Sequence, residues 1–345
     1  MVSLSQLEKR LELAKKELHR SVIEINPEMI GKTELPDDVL FYGIKDTDQI
    51  PELILNKLSS HQHLSWLTSD KASNKGRAID TDLINPITYR VMTGSSSGGP
   101  INILKGINDF AIGTDGGGSV LAPAISCQLP SIMAAGLGLH VKQVKISTDD
   151  IHFLGSIGVI GKSITLVKQI TEIMLEKEIH TDEEPITIAI PQKGTVIRPD
   201  GRDMYEMIMH YINQMPVNKI TVKEFDMTGI NERKCAIETM QTCFEEVDFI
   251  LTCEGPVDVY GYGETIPKQF GEVGKQITRN HGKYLIRAAN MCKATAVTVP
   301  TNDLASALVI CANQGLRHGS KAIQLAEKFE QVIELPKLWQ EYFLN

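Results

Sequence analysis

The spacing of apolar residues predicts an amphipathic helix at the start of the chain, within residues 3–25, where apolar side chains recur at intervals of three and four. The next apolar run, Val39–Ile44, is short enough to be a buried strand. Residues 47–84 are polar and are predicted to be mostly loop, apart from a short helix over 53–58. The N-terminal part of the chain therefore predicts two helices and one strand.

The remainder of the chain predicts an α/β fold. Residues 86–147 are rich in glycine and lack a helical period, and a helix is predicted over 164–174. Beyond Pro185, short apolar runs alternate with helical patterns up to a closing helix over 320–333. Alternation of this kind predicts a sheet covered by helices on both faces. No repeat or Pro/Ser linker divides the sequence, so residues 1–345 are predicted to form a single domain on which the N-terminal helix packs.

Composition and charge indicate a folded protein and argue against some kinds of binding partner. Of the 345 residues, 42% are hydrophobic and 23% are charged, which is typical of a chain that buries a core. There are 35 Lys and Arg against 43 Asp and Glu, so the net charge is −8. Because nucleic acids and anionic membranes bind clustered cations, this balance argues against both partners. The cysteines form no Cys-x-x-Cys pair and the polar N-terminus is unlike a secretion signal, so a cytoplasmic location is predicted.

Two glycine-rich segments, Thr93–Gly99 and Gly113–Ser119, carry the candidate chemistry. In the second, three successive glycines precede a serine and leave their backbone N–H groups free of side-chain crowding. Acyl transfer requires an oxyanion hole of this kind, built from backbone amides beside a hydroxyl. On composition alone, a flexible Gly/Ser loop is the more common explanation of such a segment.

Together the two segments resemble the signature of the amidase signature family, in which Gly-Gly-Ser-Ser-Gly-Gly precedes Gly-Thr-Asp-x-Gly-Gly-Ser. Asn85 and Pro86 stand where the family has Asn-Pro. The resemblance is specific over residues 85–127 and faint elsewhere. It implies a mixed β-sheet wrapped by helices, a signature core over about residues 85–160, and a Ser–cis-Ser–Lys catalytic triad that uses neither a metal nor an organic cofactor.

The resemblance also implies a role for individual residues of the two segments. The register set by Asn85 and Pro86 makes Ser96, and not Ser95, the counterpart of the cis-serine, which relays a proton. Ser119 falls on the nucleophile. The amides of the oxyanion hole fall on three glycines, Gly116, Gly117 and Gly118.

The third member of the implied triad is a lysine at the end of a strand. Lys45 lies in Tyr42–Asp46, directly after an apolar run, although it stands only 51 residues before Ser96, closer than in the family. A lysine can act as a base only in its neutral form, which burial favours. Lys71 and Lys75 are the alternatives, in a polar loop where the pKa of a lysine is harder to lower.

Two departures from the family pattern leave the substrate open. Leu121 stands where the family usually has Arg, and Pro100–Leu104 replaces an Ala-rich helix. The resemblance predicts an amidase-type hydrolase that cleaves a small-molecule or peptide-like amide through a serine acyl-enzyme. The alternatives are an amidotransferase-like subunit that releases ammonia to a partner, and a catalytically inactive amidase-fold protein that acts in binding or as a scaffold. A homo-oligomer is compatible with each of them.

Overall fold

The computed structural model describes residues 2–147, 150–179, 185–215 and 220–344. Within these ranges the strands are β1 (Val22–Ile25), β2 (Leu40–Lys45), β3 (Leu64–Asp70), β4 (Ile79–Ile84), β5 (Val91–Thr93), β6 (Phe110–Asp115), β7 (Ser131–Met133), β8 (His140–Ile146), β9 (His152–Gly161), β10 (Ile186–Pro191), β11 (Ile220–Phe225), β12 (Phe249–Glu254), β13 (Thr295–Pro300) and β14 (Ala307–Ala312). The helices are α1 (Val2–Lys16), α2 (Glu52–Ser59), α3 (Gly98–Leu104), α4 (Leu121–Ser126), α5 (Ile164–Leu175), α6 (Met204–Ile212), α7 (Arg233–Phe244), α8 (Thr265–Lys268), α9 (Gly271–Arg279), α10 (Leu316–Val332) and α11 (Lys337–Phe343).

One large mixed sheet organises the molecule. Its strands follow the order β1-β3-β2-β6-β9-β7-β13-β14-β12-β10-β11, with β8 added to β9, while β4 and β5 form a separate antiparallel pair. Strand β2 runs parallel to β3 and β6, and β10 runs parallel to β11 and β12, whereas the other neighbours are antiparallel. Helices flank the sheet, with α5 against β7 and β9 and α10 against β13 and β14. The predicted α/β class with a mixed sheet is confirmed.

The inner strands of the large sheet are continuous apolar runs because both of their faces are buried. All six residues are buried in each of β6, β12 and β14. Two of these strands end on a buried carboxyl side chain, Asp115 on β6 and Glu254 on β12. Acidic side chains are seldom buried without partners, so these two strand ends mark places where the following chain must supply hydrogen-bond donors.

The N-terminal helix is shorter than the sequence pattern predicts. Helix α1 ends at Lys16, and residues 22–25 form β1, which pairs antiparallel with β3. Between them His19 takes a left-handed conformation, with φ at 63°. Val22 is fully buried as a strand residue. An isolated apolar residue at this interval satisfies a helical period and a strand equally, so the pattern did not separate the two.

Residues 47–84 are more regular than the sequence predicts. The short helix is present as α2, but β3 and β4 occupy much of the region predicted to be loop. Thr68 and Asp70 of β3 are buried and hydrogen-bonded: the Thr68 Oγ1 donates to the Asp70 Oδ1 (2.7 Å), and the Asn102 Nδ2 donates to the same oxygen (2.7 Å). A strand whose buried polar groups pair with each other does not show the apolar alternation that identifies strands in a sequence.

Candidate active site

The second glycine-rich segment folds over the end of β6. Asp115 accepts hydrogen bonds at Oδ1 from the Gly118 N–H (2.8 Å) and at Oδ2 from the Val120 and Leu121 N–H groups (2.6 and 3.3 Å). Leu121 begins α4, where unpaired N–H groups favour a negative charge. Burial raises the pKa of Asp115, and the three N–H groups oppose that shift. Half-buried Ser119 stands in the turn that this carboxylate holds.

The first glycine-rich segment meets the second through the backbone. After β5, the peptide bond between Gly94 and Ser95 is cis. The Ser96 N–H donates to the Ser119 carbonyl (3.0 Å), and the Ser73 N–H donates to the Ser95 carbonyl (2.9 Å). The two segments that the sequence identifies therefore form one site.

Lys45 reaches this site from the end of β2. Its Nζ donates to the Ser95 Oγ (2.7 Å) and to Thr114 at Oγ1 (3.1 Å) and at the carbonyl oxygen (3.4 Å), and the residue is only 7% exposed. Because β2 and β6 are parallel neighbours, their ends meet at the same edge of the sheet. Burial lowers the pKa of Lys45 to about 7, although the charge of Asp115 opposes the shift. A lysine with this pKa exchanges protons with a hydroxyl near neutral pH.

The structure places a different serine from the predicted Ser96 against Lys45. Ser95, one residue earlier, makes the contact with Lys45. The Ser96 Oγ lies instead against Gly113, where a Cβ would stand 2.7 Å from it, and no described residue forms a hydrogen bond with this buried hydroxyl. Neighbouring residues of an extended chain point in different directions, so an error of one residue in register selects the wrong hydroxyl. Three consecutive serines in the sequence allow that error.

One of the three glycines assigned to the oxyanion hole has its N–H group engaged within the protein. The Gly118 N–H is already bonded to Asp115, so it is not available to a substrate oxygen. Gly118 has a φ of 95°, a conformation that glycine adopts without strain. A Cβ at Gly116 would displace the ring of Phe153, and a Cβ at Gly117 would stand 3.4 Å from the Arg233 Nη2. Gly116 and Gly117 keep their assignment as a prediction.

The alternative lysines are not part of the site. Lys71 forms ion pairs with Asp82 (2.9 Å) and, at 3.7 Å, with Asp80. Lys75 is exposed. Although burial opposes the shift, the neighbouring carboxylates raise the pKa of Lys71, so Lys71 does not meet the requirement for a neutral base that Lys45 meets.

Sequence reasoning missed two side chains that shape the site. Thr114 supplies a second hydroxyl to Lys45, and Asp115 holds the turn around Ser119. Both lie within the Gly-Thr-Asp part of the second segment, so the signal was present as a motif whose polar residues had no assigned role. Within the described ranges, no group of three or more His, Cys, Asp or Glu residues could hold a metal ion. No helix in those ranges has the length and apolar character needed to cross a bilayer.

Known amidases share stretches of this sequence, although no family model matches the chain. It is 26% identical over 106 residues to Amidase 1 of Oryza sativa subsp. japonica, a match covering 30% of this chain and 23% of the relative. It is 25% identical over 167 residues to one subunit of the mitochondrial glutamyl-tRNA(Gln) amidotransferase of Candida albicans (strain WO-1), covering 41% of this chain and 36% of that one. The matched stretches thus span about a quarter to a third of the relatives' length.

Structural similarity extends over nearly the whole chain. A bacterial aryl acylamidase belonging to the amidase signature enzymes superposes with a TM-score of 0.63 at 13% sequence identity, covering 99% of this chain and 94% of that one. The fold is therefore that of the amidase signature enzymes. In sequence, the chain is similar to the two relatives above at low identity and over part of its length.

Proposed function

We propose that this protein is a serine amidase, a hydrolase that cleaves the C–N bond of an amide through an acyl-enzyme. The observation that carries the proposal is the 2.7 Å contact between the Nζ of buried Lys45 and the Oγ of Ser95, next to the turn that contains Ser119. Similarity to Amidase 1 supports the class of reaction. In this proposal Ser119 is the nucleophile, Ser95 the proton relay and Lys45 the base.

The first half of the reaction is acylation. Neutral Lys45 takes the proton of the Ser95 Oγ while Ser95 takes the proton of the Ser119 Oγ, because a hydroxyl both donates and accepts. The Ser119 Oγ then bonds to the amide carbonyl carbon, and the carbonyl electrons move onto oxygen. The N–H groups of Gly116 and Gly117 stabilise that oxyanion. As the C–N bond breaks, the leaving amine receives the proton from Lys45 through Ser95.

The second half is deacylation by the same groups. A water molecule gives a proton to Ser95 and, through it, to Lys45, and its oxygen attacks the ester carbonyl carbon. The bond to the Ser119 Oγ breaks, Ser119 recovers its proton, and a carboxylic acid leaves. Each turnover therefore consumes one amide and one water and returns the lysine to its neutral form.

An ammonia-releasing subunit is the second candidate, favoured by the similarity to the glutamyl-tRNA(Gln) amidotransferase. The acylation chemistry is the same, but ammonia is passed to an acceptor on a partner protein. A hydrolase acts alone on its amide, whereas a subunit of this kind hydrolyses amides slowly until its partner is present. A cytoplasmic location stays a prediction for both.

The proposal is tested by intact-mass analysis after incubation with a small fluorophosphonate, which forms a covalent bond with an activated serine. Wild-type protein should gain one adduct, and Ser119→Ala and Lys45→Met should gain none. Lys71→Met is the matched control, since it removes a partly buried lysine near the site that pairs with acidic residues, and it should label as the wild type does. A folded wild-type protein without an adduct would instead support the inactive binding or scaffold protein.

The pH dependence of labelling tests the base directly. Because the pKa of Lys45 is lowered to about 7, the neutral fraction of Lys45 grows as pH rises through 7. The labelling rate should increase about tenfold per pH unit below 6 and level off above pH 8. A rate that keeps rising to pH 10 would mean that the base has an ordinary lysine pKa and that Lys45 is not that base.

A further inference from the structure

A buried ion pair lies in the segment that follows β12, far along the chain from the two glycine-rich segments. The Lys283 Nζ is 2.6 Å from the Asp258 Oδ2, and the two side chains are 5% and 2% exposed. The Gly263 N–H donates to the Asp258 Oδ1 (3.1 Å), and the Asp258 N–H donates to the His281 carbonyl (3.1 Å). Charges buried to this extent are costly unless they are paired and hydrogen-bonded, and here both conditions are met.

The same carboxylate oxygen has a partner at the candidate active site. The Thr93 Oγ1 donates to the Asp258 Oδ2 (2.8 Å) across 165 residues of sequence, and Thr93 is almost fully buried. Thr93 ends β5 and stands two residues before Ser95. A hydrogen bond to an ionised acceptor is roughly twice as strong as one between neutral groups. The hydroxyl of Thr93 is thus held by a charge that Lys283 keeps in place.

The other hydrogen bonds of this turn are made with segments that precede β12 in the chain. The Gly94 N–H donates to the Ala78 carbonyl (2.8 Å), and the Ser73 N–H donates to the Ser95 carbonyl (2.9 Å). These two bonds fix the turn to residues 73–78, and the Ser96 N–H ties it to the Ser119 carbonyl (3.0 Å). Asp258 is what ties it to the region beyond β12.

We propose that Asp258, paired with Lys283, is a positioning residue that sets the distance between Ser95 and Lys45 through Thr93. This inference rests on the proposed function, in which Ser95 relays a proton. Proton relay depends on donor–acceptor distances of about 2.6–3.2 Å, so a small shift of the turn separates Ser95 from the lysine. The pair acts on the reaction without touching the substrate.

The test removes one hydroxyl and keeps the shape of the side chain. Thr93→Val deletes the donor to Asp258 and leaves the ion pair intact, and Thr93→Ser keeps the donor. We expect Thr93→Val to lower the rate of fluorophosphonate labelling at least tenfold, and Thr93→Ser to restore it to within threefold of the wild type. Rescue by serine separates a positioning role from a general packing role, because serine lacks the methyl group of threonine.

The matched control is Thr298→Val. The Thr298 Oγ1 and the Ser131 Oγ form a buried hydrogen bond of 2.7 Å in the sheet, with no part in the proposed mechanism. Thr93→Val and Thr298→Val should lower Tm to a similar extent, but only Thr93→Val should slow labelling. If Thr93→Val does not fold, Asp258→Asn combined with Lys283→Met removes the charge pair and should lower the labelling rate at least tenfold.

Three outcomes distinguish a failure of this inference from a failure of the proposed function. Wild-type protein that labels at Ser119 while Thr93→Val labels at an equal rate would overturn the positioning role and leave the serine amidase standing. Equal slowing in Thr93→Val and Thr298→Val would also overturn it, because the effect would then follow stability. Folded wild-type protein that is not labelled would refute the proposed function itself, and the positioning role with it.

Discussion

Two buried acidic side chains, Asp115 and Glu254, both obtain hydrogen bonds from backbone N–H groups, but the donors lie at very different distances along the chain. Each ends an inner strand of the large sheet, β6 and β12, and each accepts backbone N–H groups from a later turn. The N–H donors of Asp115 lie only 3, 5 and 6 residues further along the chain. Those of Glu254, Tyr284 and Ile286, lie 30 and 32 residues away, and Thr252 adds a hydroxyl. Asp115 therefore stabilises the turn that directly follows it, whereas Glu254 stabilises a turn that is distant in sequence.

The two turns meet at the candidate site. Gly118, held by Asp115, packs against the Ile286 carbonyl, where a Cβ would stand 3.3 Å from the oxygen. The N–H of Ile286 is in turn bonded to Glu254. The difference in sequence separation teaches that the proposed nucleophile and the oxyanion amides sit on a locally determined turn, whereas the wall beside them depends on long-range contacts. Replacing Asp115 should therefore affect reactivity, and replacing Glu254 should affect stability.

The largest effect on reactivity is expected from one of the two adjacent serines, Ser95 and Ser96. Replacing each serine separately shows which hydroxyl the reaction uses. Ser95→Ala removes the hydroxyl that contacts Lys45 and should lower the labelling rate about 10²–10⁴-fold, the usual contribution of a positioned proton-transfer group. Ser96→Ala removes a buried hydroxyl without a described partner and should label within threefold of the wild type. Rate constants from intact-mass time courses compare the two variants directly.

The reverse result has a definite meaning. A large loss in Ser96→Ala with a normal rate in Ser95→Ala would restore the register that the sequence predicted. It would also show that the Lys45–Ser95 contact is not part of the reaction.

Local features of the candidate site could be predicted from the sequence, whereas features that depend on long-range contacts could not. Lys45, Ser119 and the glycine turns were predicted because each lies in a short run of residues whose chemistry is evident within a few positions. Ser95, which contacts Lys45, stands one position before the predicted Ser96, because repeated serines fix no register and the turn after β5 sets which side chain faces the lysine. Asp258 and Glu254 were missed entirely, since nothing near either residue in sequence indicates a partner 30 or more positions away.

The same distinction between local patterns and long-range contacts applies to the fold. Buried inner strands such as β12 and β14 show as apolar runs, so the α/β class was evident. Strand β3 was not, because its buried Thr68 and Asp70 resemble loop residues until their hydrogen bonds are seen. The pairing order of the sheet depends on contacts between distant strands, which local patterns do not encode.

An effect of intermediate size on the labelling rate is expected when the turn around Ser119 is weakened at Asp115. Asp115→Asn keeps the size of the side chain but replaces one acceptor oxygen with an NH₂ group that faces a backbone N–H. We expect the labelling rate to fall about 10–100-fold as the turn around Ser119 loosens. Loss of the carboxylate also removes the attraction that raises the pKa of Lys45, so the midpoint of the pH–rate profile should move to lower pH.

Asp109→Asn is the matched control for this variant. Asp109 is another mostly buried carboxylate that accepts a backbone N–H, from Phe41 (2.9 Å), and pairs with Arg10 (2.8 Å), but it precedes β6 rather than ending it. It should lose stability without a shift in the pH midpoint. An unchanged midpoint in Asp115→Asn would contradict the electrostatic coupling between Asp115 and Lys45.

The smallest effect on reactivity is expected from the distant carboxylate. Glu254→Gln leaves one buried N–H without an acceptor and should lower the free energy of unfolding by about 1–3 kcal/mol, with labelling of the folded protein within threefold of the wild type.

Burial raises the pKa of Glu254 to about 7, so between pH 4.5 and 7 the folded protein holds a proton that the unfolded chain releases. This group therefore makes the wild type less stable as pH rises through that window, and glutamine does not titrate. Urea unfolding should show the largest gap between the two proteins near pH 5 and a smaller one above pH 7. A gap that widens with pH, or a tenfold loss of labelling, would show that Glu254 belongs with Asp115 in controlling reactivity.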